Sequence, residues 1–219
     1  MKVFKAFSQV INTMLILGCN YIFCKFAKEK LGTLFPQSIY NMKKKSMTDL
    51  NRVSCDEFKA APKMPLVVLL DDVRSLNNIG SMFRTADAFA VESIYLCGIT
   101  ACPPSVEIHK TALGAEDSVE WHYFEDVCDA IKELKCKGYK ICAIEQVEGS
   151  ISLEQFIINS CEKYAVIMGN EVKGVQQKAV DMCDYCIELP QYGTKHSLNV
   201  SITAGIVMWE FLNRLGIKD

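Results

Sequence analysis

From Met64 onward, short β-branched apolar runs alternate with longer amphipathic segments, the pattern of an α/β fold. Residues 66–70 are apolar throughout and close on Asp71 and Asp72, which predicts a strand buried on both faces. Further strands are predicted over 93–97, 119–124, 139–145, 165–168 and 185–189. A helix capped by Asn78 should run to about Ala90, with Ile79, Met82, Phe83, Ala86 and Phe89 or Ala90 as its apolar stripe. Pro103 and Pro104 break the chain before a short helix holding His109 and Lys110. Helices are also predicted over 126–137, stopped by Gly138, over 176–182, and over 199–215. Such alternation reads as an α/β domain with a mostly parallel sheet flanked by helices, and a ligand near the carboxyl ends of the strands. No internal repeat or low-complexity linker interrupts it.

The first forty residues break the pattern, because Lys2 and Lys5 precede the apolar run VINTMLILGCNYIFC, which resembles a signal-peptide core or short anchor. Asn12, Gly18 and Asn20 interrupt that run, it is short for a membrane span, and Leu17 before Gly18 and Cys19 fits a lipoprotein cleavage site poorly. A product starting at Met42 or Met47 is preferred, an added amphipathic helix comes second, and export last. Residues 1–63 are therefore read as an extension, helical or disordered and basic near 43–52, and residues 64–219 as one domain.

Composition narrows the partners. With 24 Lys and Arg against 26 Asp and Glu, the formal charge is −2, so a strongly basic coat for indiscriminate nucleic-acid binding is not indicated. If RNA is the partner, the positive field must be local, from Lys43, Lys44, Lys45 and Arg52, or from Arg74, Arg84, Lys110, Lys173 and Lys195; singly, each reads as a solvated cation. Eleven cysteines without a regular framework suggest reduced thiols in the cytoplasm. Cys183 and Cys186 form a lone C-x-x-C at a helix-to-strand junction, where packing is the simpler role, and no metal-ligand cluster is visible.

Three distant stretches share one character: NNIGSMFRTA (77–86), IMGNEVKG (167–174) and IELPQYGTKHSLNVS (187–201). Each follows or ends an apolar run, turns on Gly or Asn, and presents polar side chains at a helix start or loop. Asn78 is either a plain N-cap or a side-chain amide for a site, and Arg84, between Phe83 and Ala86 on an apolar helix, wants a partner such as a phosphate or a ribose hydroxyl. Gly169 leaves room for a ligand against the backbone, and Glu171 either serves the site or complements the helix dipole near Gln176. Ser197 and Asn199 either bond backbone donors at the last helix start or order Arg84 and a substrate. His109 and His122 carry no clear chemistry.

Together these segments resemble the motifs of the SpoU/TrmH family of RNA ribose 2'-O-methyltransferases, of the SPOUT class, over residues 65–215. The resemblance implies a SPOUT-type domain whose C-terminal part forms a deep trefoil knot, an exception to ordinary chain topology. It implies Arg84, Asn78, Glu171, Ser197 and Asn199 as catalytic residues, and S-adenosyl-L-methionine held by Met168, Gly169, Asn170, Leu189 and Leu198. RNA would be met by Arg74, Lys110, Lys173, Lys195 and His196, tRNA ahead of rRNA, in a cytoplasmic homodimer without metal or stable membrane association. Residues before Met64 are too few for the separate RNA-binding domain of some members, so the catalytic dimer, the basic residues near 43–52, or both would grip the RNA. In the family Arg84 would be a base, yet deprotonating a guanidinium near neutral pH costs on the order of 7 kcal/mol, so positioning and charge stabilisation are the preferred role. The alternative is a knotted RNA-binding protein without activity. A small-molecule nucleotide enzyme lacks support, since neither G-x-G-x-x-G nor a Walker loop is present.

Overall fold

The computed structural model describes residues 43–46, 49, 53–195 and 197–217. The early apolar run, Met42, Met47, Arg52 and His196 lie outside the described residues, together with the expectations placed on them. The chain divides into two units, Met1–Arg52 and Val53–Asp219. In the first, Lys43, Lys44 and Lys45 are exposed. All three motifs fall in the second.

That unit contains strands β1 (Met64–Asp71), β2 (Val91–Cys97), β3 (Trp121–Phe124), β4 (Tyr139–Ile144), β5 (Ile151–Ser152), β6 (Lys163–Met168) and β7 (Tyr185–Glu188). They form one sheet in the order β3-β2-β1-β6-β4-β7-β5, with every pair parallel. Parallel strands need crossovers on the sheet faces, and of the seven helices among the described residues, α1 (Cys55–Ala60), α2 (Leu76–Ala88), α3 (Val106–Ala112), α4 (Ala115–Ser118), α5 (Val127–Cys136), α6 (Gln177–Val180) and α7 (Val200–Leu215), the five from α2 to α6 lie between strands.

β1 is buried along its whole length and divides its side chains between two cores. Leu66, Val68 and Leu70 join Ile79, Phe83, Ile108, Val207 and Phe211 on the face covered by α2, α3, α4 and α7. Val67 and Leu69 join Ile131 and Leu134 of α5 and Ala179 of α6 on the other. β6 repeats the division, Tyr164, Val166 and Met168 against Ala165 and Ile167. Each fully buried Leu, Ile or Phe stabilises such a layer by roughly 1.5–3 kcal/mol before entropy is counted. The continuous apolar run is thus what a strand sandwiched between helix layers requires.

Expected elements recur with adjusted ends. The helix with the first motif begins earlier than predicted, because Ser75 is its N-cap, accepting from the Asn78 backbone N–H at 3.3 Å. Asn78 therefore lies one turn inside the helix, which corrects its reading as a cap. The strand predicted over 119–124 covers only Trp121–Phe124. α1, α4 and the two-residue β5 were not anticipated; α1 rests on a Ser54–Glu57 capping box and has no fully buried residue to create a stripe. α2 and α3 pack closely, since a Cβ on Gly80 would stand 2.1 Å from Thr111 Oγ1 and 2.3 Å from the Ile108 carbonyl oxygen. No helix among the described residues is long and apolar enough to cross a membrane.

Candidate active site

β1 and β6 are neighbours, so the loops leaving their carboxyl ends meet. After Met168 the chain makes a tight turn in which Asn170 and Gly174 exchange backbone hydrogen bonds of 3.0 and 2.9 Å. Gly169 is required by this turn, because its Cβ would lie 2.2 Å from the Gly174 carbonyl carbon and the Val175 nitrogen. Asn170 holds the turn from inside, its Oδ1 accepting from Val172 and Lys173 N–H groups, and fastens it to β1 by donating from Nδ2 to the Asp72 carbonyl at 2.7 Å. A second fastening joins buried Asp71 to Gln176, whose backbone N–H and side-chain amide donate to the carboxylate at 2.9 and 2.6 Å. Burial pushes the Asp71 carboxyl above its usual range, although both Gln176 bonds pull it back.

Glu171 then reaches across to the start of α2. One carboxylate oxygen accepts from the Arg74 N–H, and the other from the Ser75 N–H and the Asn78 side-chain amide, all at 3.0 Å. Its alternative placement, as a charge near Gln176, is thereby corrected: the helix whose free amides it faces is α2. Partial burial alone would raise its pKa, but the N–H groups of Arg74, Ser75 and Glu171 itself, with the Asn78 amide, outweigh burial and hold it below the usual glutamate value. Asn78 Oδ1 in turn accepts from Asn199 Nδ2 at 3.1 Å. Asn199 is the N-cap of α7, its Oδ1 accepting from the Ser201 N–H and hydroxyl at 2.9 and 2.6 Å and from the Ile202 N–H at 3.3 Å. One hydrogen-bonded path, Ser201 to Asn199 to Asn78 to Glu171 to the α2 amides, links all three motifs.

Beside this path lies a cleft of about 570 Å³ at the carboxyl ends of β4, β6 and β7. All five residues expected to hold a cofactor, Met168, Gly169, Asn170, Leu189 and Leu198, line it, as do Glu171, Ser197 and Asn199. The volume is typical of small-molecule sites, roughly 300–1,000 Å³. Met168, Ile187, Leu189 and Leu198 give it apolar walls, and the carboxylates of Glu145, Glu171 and Glu188 outnumber the single cation Lys173. That combination suits a flat heterocycle on a ligand with positive charge. Glu145, at the end of β4, was not anticipated; it accepts from the Val175 N–H at 2.8 Å and braces the second motif from the far side. Its signal was its position at a strand's carboxyl end, one residue past β4, much as Asp71 closes β1.

Arg84 stands apart. It is exposed on α2, outside the cleft wall, and makes no hydrogen bond or ion pair with a described residue. Ser197 is exposed and makes no bond to the α7 start, so of the two residues considered for that role only Asn199 fills it. Of the cations considered for RNA, Arg74 and Lys195 are exposed, Lys173 is exposed on the cleft wall, and Lys110 pairs with Glu107 at 2.6 Å. His109 lies 2.5 Å from the buried Glu116. Cys183 donates to the Ala179 carbonyl at 3.1 Å, and burial pushes its thiol up to about 12, in keeping with a packing role.

The chain is similar to known proteins in sequence and in fold. A 23S rRNA (guanosine-2'-O-)-methyltransferase RlmB of Neisseria meningitidis is 30% identical over 155 residues, 71% of this chain and 61% of that protein, so the chain spans about three-fifths of this relative's length. An AdoMet-bound rRNA methyltransferase from Sinorhizobium meliloti shares 27% identity, with a TM-score of 0.64 over 72% of this chain and 60% of that one. The fold is also that of the A. aeolicus TrmH/SpoU tRNA modifying enzyme, with a TM-score of 0.64 at 24% identity over 73% of this chain and 81% of that one. Residues 65–209 match the SpoU rRNA Methylase family. The chain belongs to that family.

Proposed function

We propose that this protein is an S-adenosyl-L-methionine-dependent enzyme that methylates a ribose 2'-hydroxyl in structured RNA. The observation that carries this reading is the path of hydrogen bonds joining Asn199, Asn78 and Glu171 at the edge of the cleft. When bound, the cofactor supplies a methyl group on a positively charged sulfur, which a nucleophilic oxygen can take directly without a metal. Met168, Leu189 and Leu198 would enclose its adenine, while Gly169 and Asn170 keep the turn close to it. Asn199, fixed by its own cap bonds and by Asn78, would orient the sugar, with Ser197 beside it. Arg84, exposed and free of described partners, is available to an incoming phosphate or ribose, where it would stabilise the alkoxide forming at the 2'-oxygen. Alignment of one oxygen with one methyl group supplies most of the acceleration such a site needs.

The same reading includes the trefoil knot, a homodimer and a cytoplasmic location. Support for the dimer is an apolar stripe on α7, where Ile202, Ile206 and Trp209 remain 57%, 42% and 53% exposed. Every described cysteine is free, as a reducing compartment requires. Arg74, Lys110, Lys173 and Lys195 would meet phosphates, and the relatives' names divide between rRNA and tRNA as targets. The deciding experiment is tritium transfer from labelled S-adenosyl-L-methionine to total RNA of a strain lacking the protein, followed by mapping of the labelled ribose. RNA binding with no cofactor binding in calorimetry and no RNA labelled would instead favour a knotted binding protein that has lost chemistry.

A further inference from the structure

A second pocket, about 350 Å³, adjoins the cofactor cleft and shares Gln146, Glu188, Leu189 and Gln191 with it. Its outer rim is the loop after β7, where Tyr192 is 94% exposed and Lys195 stands three residues on. An aromatic ring so completely exposed buries nothing in its own fold, and the Tyr192 hydroxyl bonds to no described residue. Leu189 and Pro190 supply an apolar floor, while the Glu188 carboxylate and Gln191 amide offer hydrogen bonds at the side. A carboxylate repels a phosphate but accepts from the N–H groups of a base, and Lys195 gives the phosphate a separate place. Ring, floor, polar edge and outer cation are the parts by which proteins hold an unstacked nucleobase.

We propose that this pocket receives a nucleobase of the RNA substrate, stacked on Tyr192 and read on its donor-bearing edge by Glu188, next to the ribose presented to the cleft. The inference rests on the RNA methylation proposed above and adds a base contact to it. A carboxylate acceptor favours guanine, whose N1–H and N2 amino group lie side by side, over adenine and over uracil.

The test compares Tyr192→Ala, Tyr192→Phe and Tyr192→Trp in the full chain, measuring affinity for a substrate RNA and for S-adenosyl-L-methionine separately. Tyr192→Ala should weaken RNA binding on the order of ten- to a hundred-fold and raise KM more than it lowers kcat. Cofactor affinity should be unchanged, which also reports that the fold is intact. Tyr192→Phe should keep most RNA affinity, and the indole of Tyr192→Trp should be quenched on adding RNA. Glu188→Gln should reduce the preference for guanosine beside the methylated ribose. Should Tyr192→Ala bind and methylate RNA like the unaltered protein, the base pocket is overturned while the methyltransferase reading stands. RNA affinity that depends on Tyr192 in a protein that methylates nothing would support the pocket and overturn the catalytic reading. No RNA affinity in the unaltered protein would overturn both.

Discussion

Asn78 shows how little a residue's identity says about its role before its neighbours are known. Asn is a good N-cap, and so is Ser75 three residues earlier; the cap went to Ser75, leaving the Asn78 amide for Glu171 and Asn199, 93 and 121 residues away in sequence. Glu171 accepts three hydrogen bonds with two carboxylate oxygens, so Glu171→Gln would turn an NH2 toward one of these donors and cost about 1 kcal/mol, modest because the group is open to water. Its pKa is depressed in the folded state, so the stability it contributes is present above the ordinary glutamate pKa and is lost as pH falls through the lower folded value. Melting curves from about pH 7 down to pH 3 should show this acid-linked loss in the unaltered protein and a smaller one in Glu171→Gln. For Arg84 the expectation is kinetic: Arg84→Lys should lower kcat on the order of a hundred-fold with cofactor affinity unchanged, because a point charge lacks the planar fork that holds phosphate and sugar together. Full activity with an unaltered pH profile in that variant would remove Arg84 from the mechanism.

At the scale of elements, backbone proximity matters more than side-chain chemistry. The turn between β6 and α6 approaches itself so closely at Gly169 that its backbone would have to move to admit a methyl group. Gly169→Ala should destabilise the fold by about 1–3 kcal/mol, seen in thermal unfolding, and weaken cofactor binding at least ten-fold, seen by calorimetry. Gly80→Ala meets a similar obstacle between α2 and α3, but away from the cleft. Its melting temperature should fall while cofactor affinity per folded molecule stays the same. β1 and β6 were legible because two-sided burial writes a continuous apolar run, and α2 and α5 because one-sided burial writes a helical stripe. α1 and α4 escaped detection because, at six and four residues, they are too short to show a period.

For the whole molecule, the exposed stripe on α7 predicts that Ile206→Glu will sediment as a monomer where the unaltered protein sediments as a dimer, with activity lost alongside. A charge on that face should not unfold the chain, since Ile206 is 42% exposed and the buried side of α7 rests on Ala204, Val207, Met208 and Phe211. The sequence by itself determined the class of fold, the strands other than the two-residue β5, the main helices, the three polar segments and their family, because periodicity and turn chemistry are local and are written in neighbouring residues. It could not order the strands: β1 lies beside β6 rather than only β2, and β7 beside β4, through contacts between segments tens of residues apart. Tertiary structure alone therefore decided that Glu171 faces α2, that Asn199 meets Asn78, that Glu145 and Gln176 brace the turn, and that Arg84 stays outside the cleft wall. The physical reason is that a hydrogen bond across the sheet's end depends on which strands pack together, and that choice is made by burial summed over two cores rather than by any single stretch of chain.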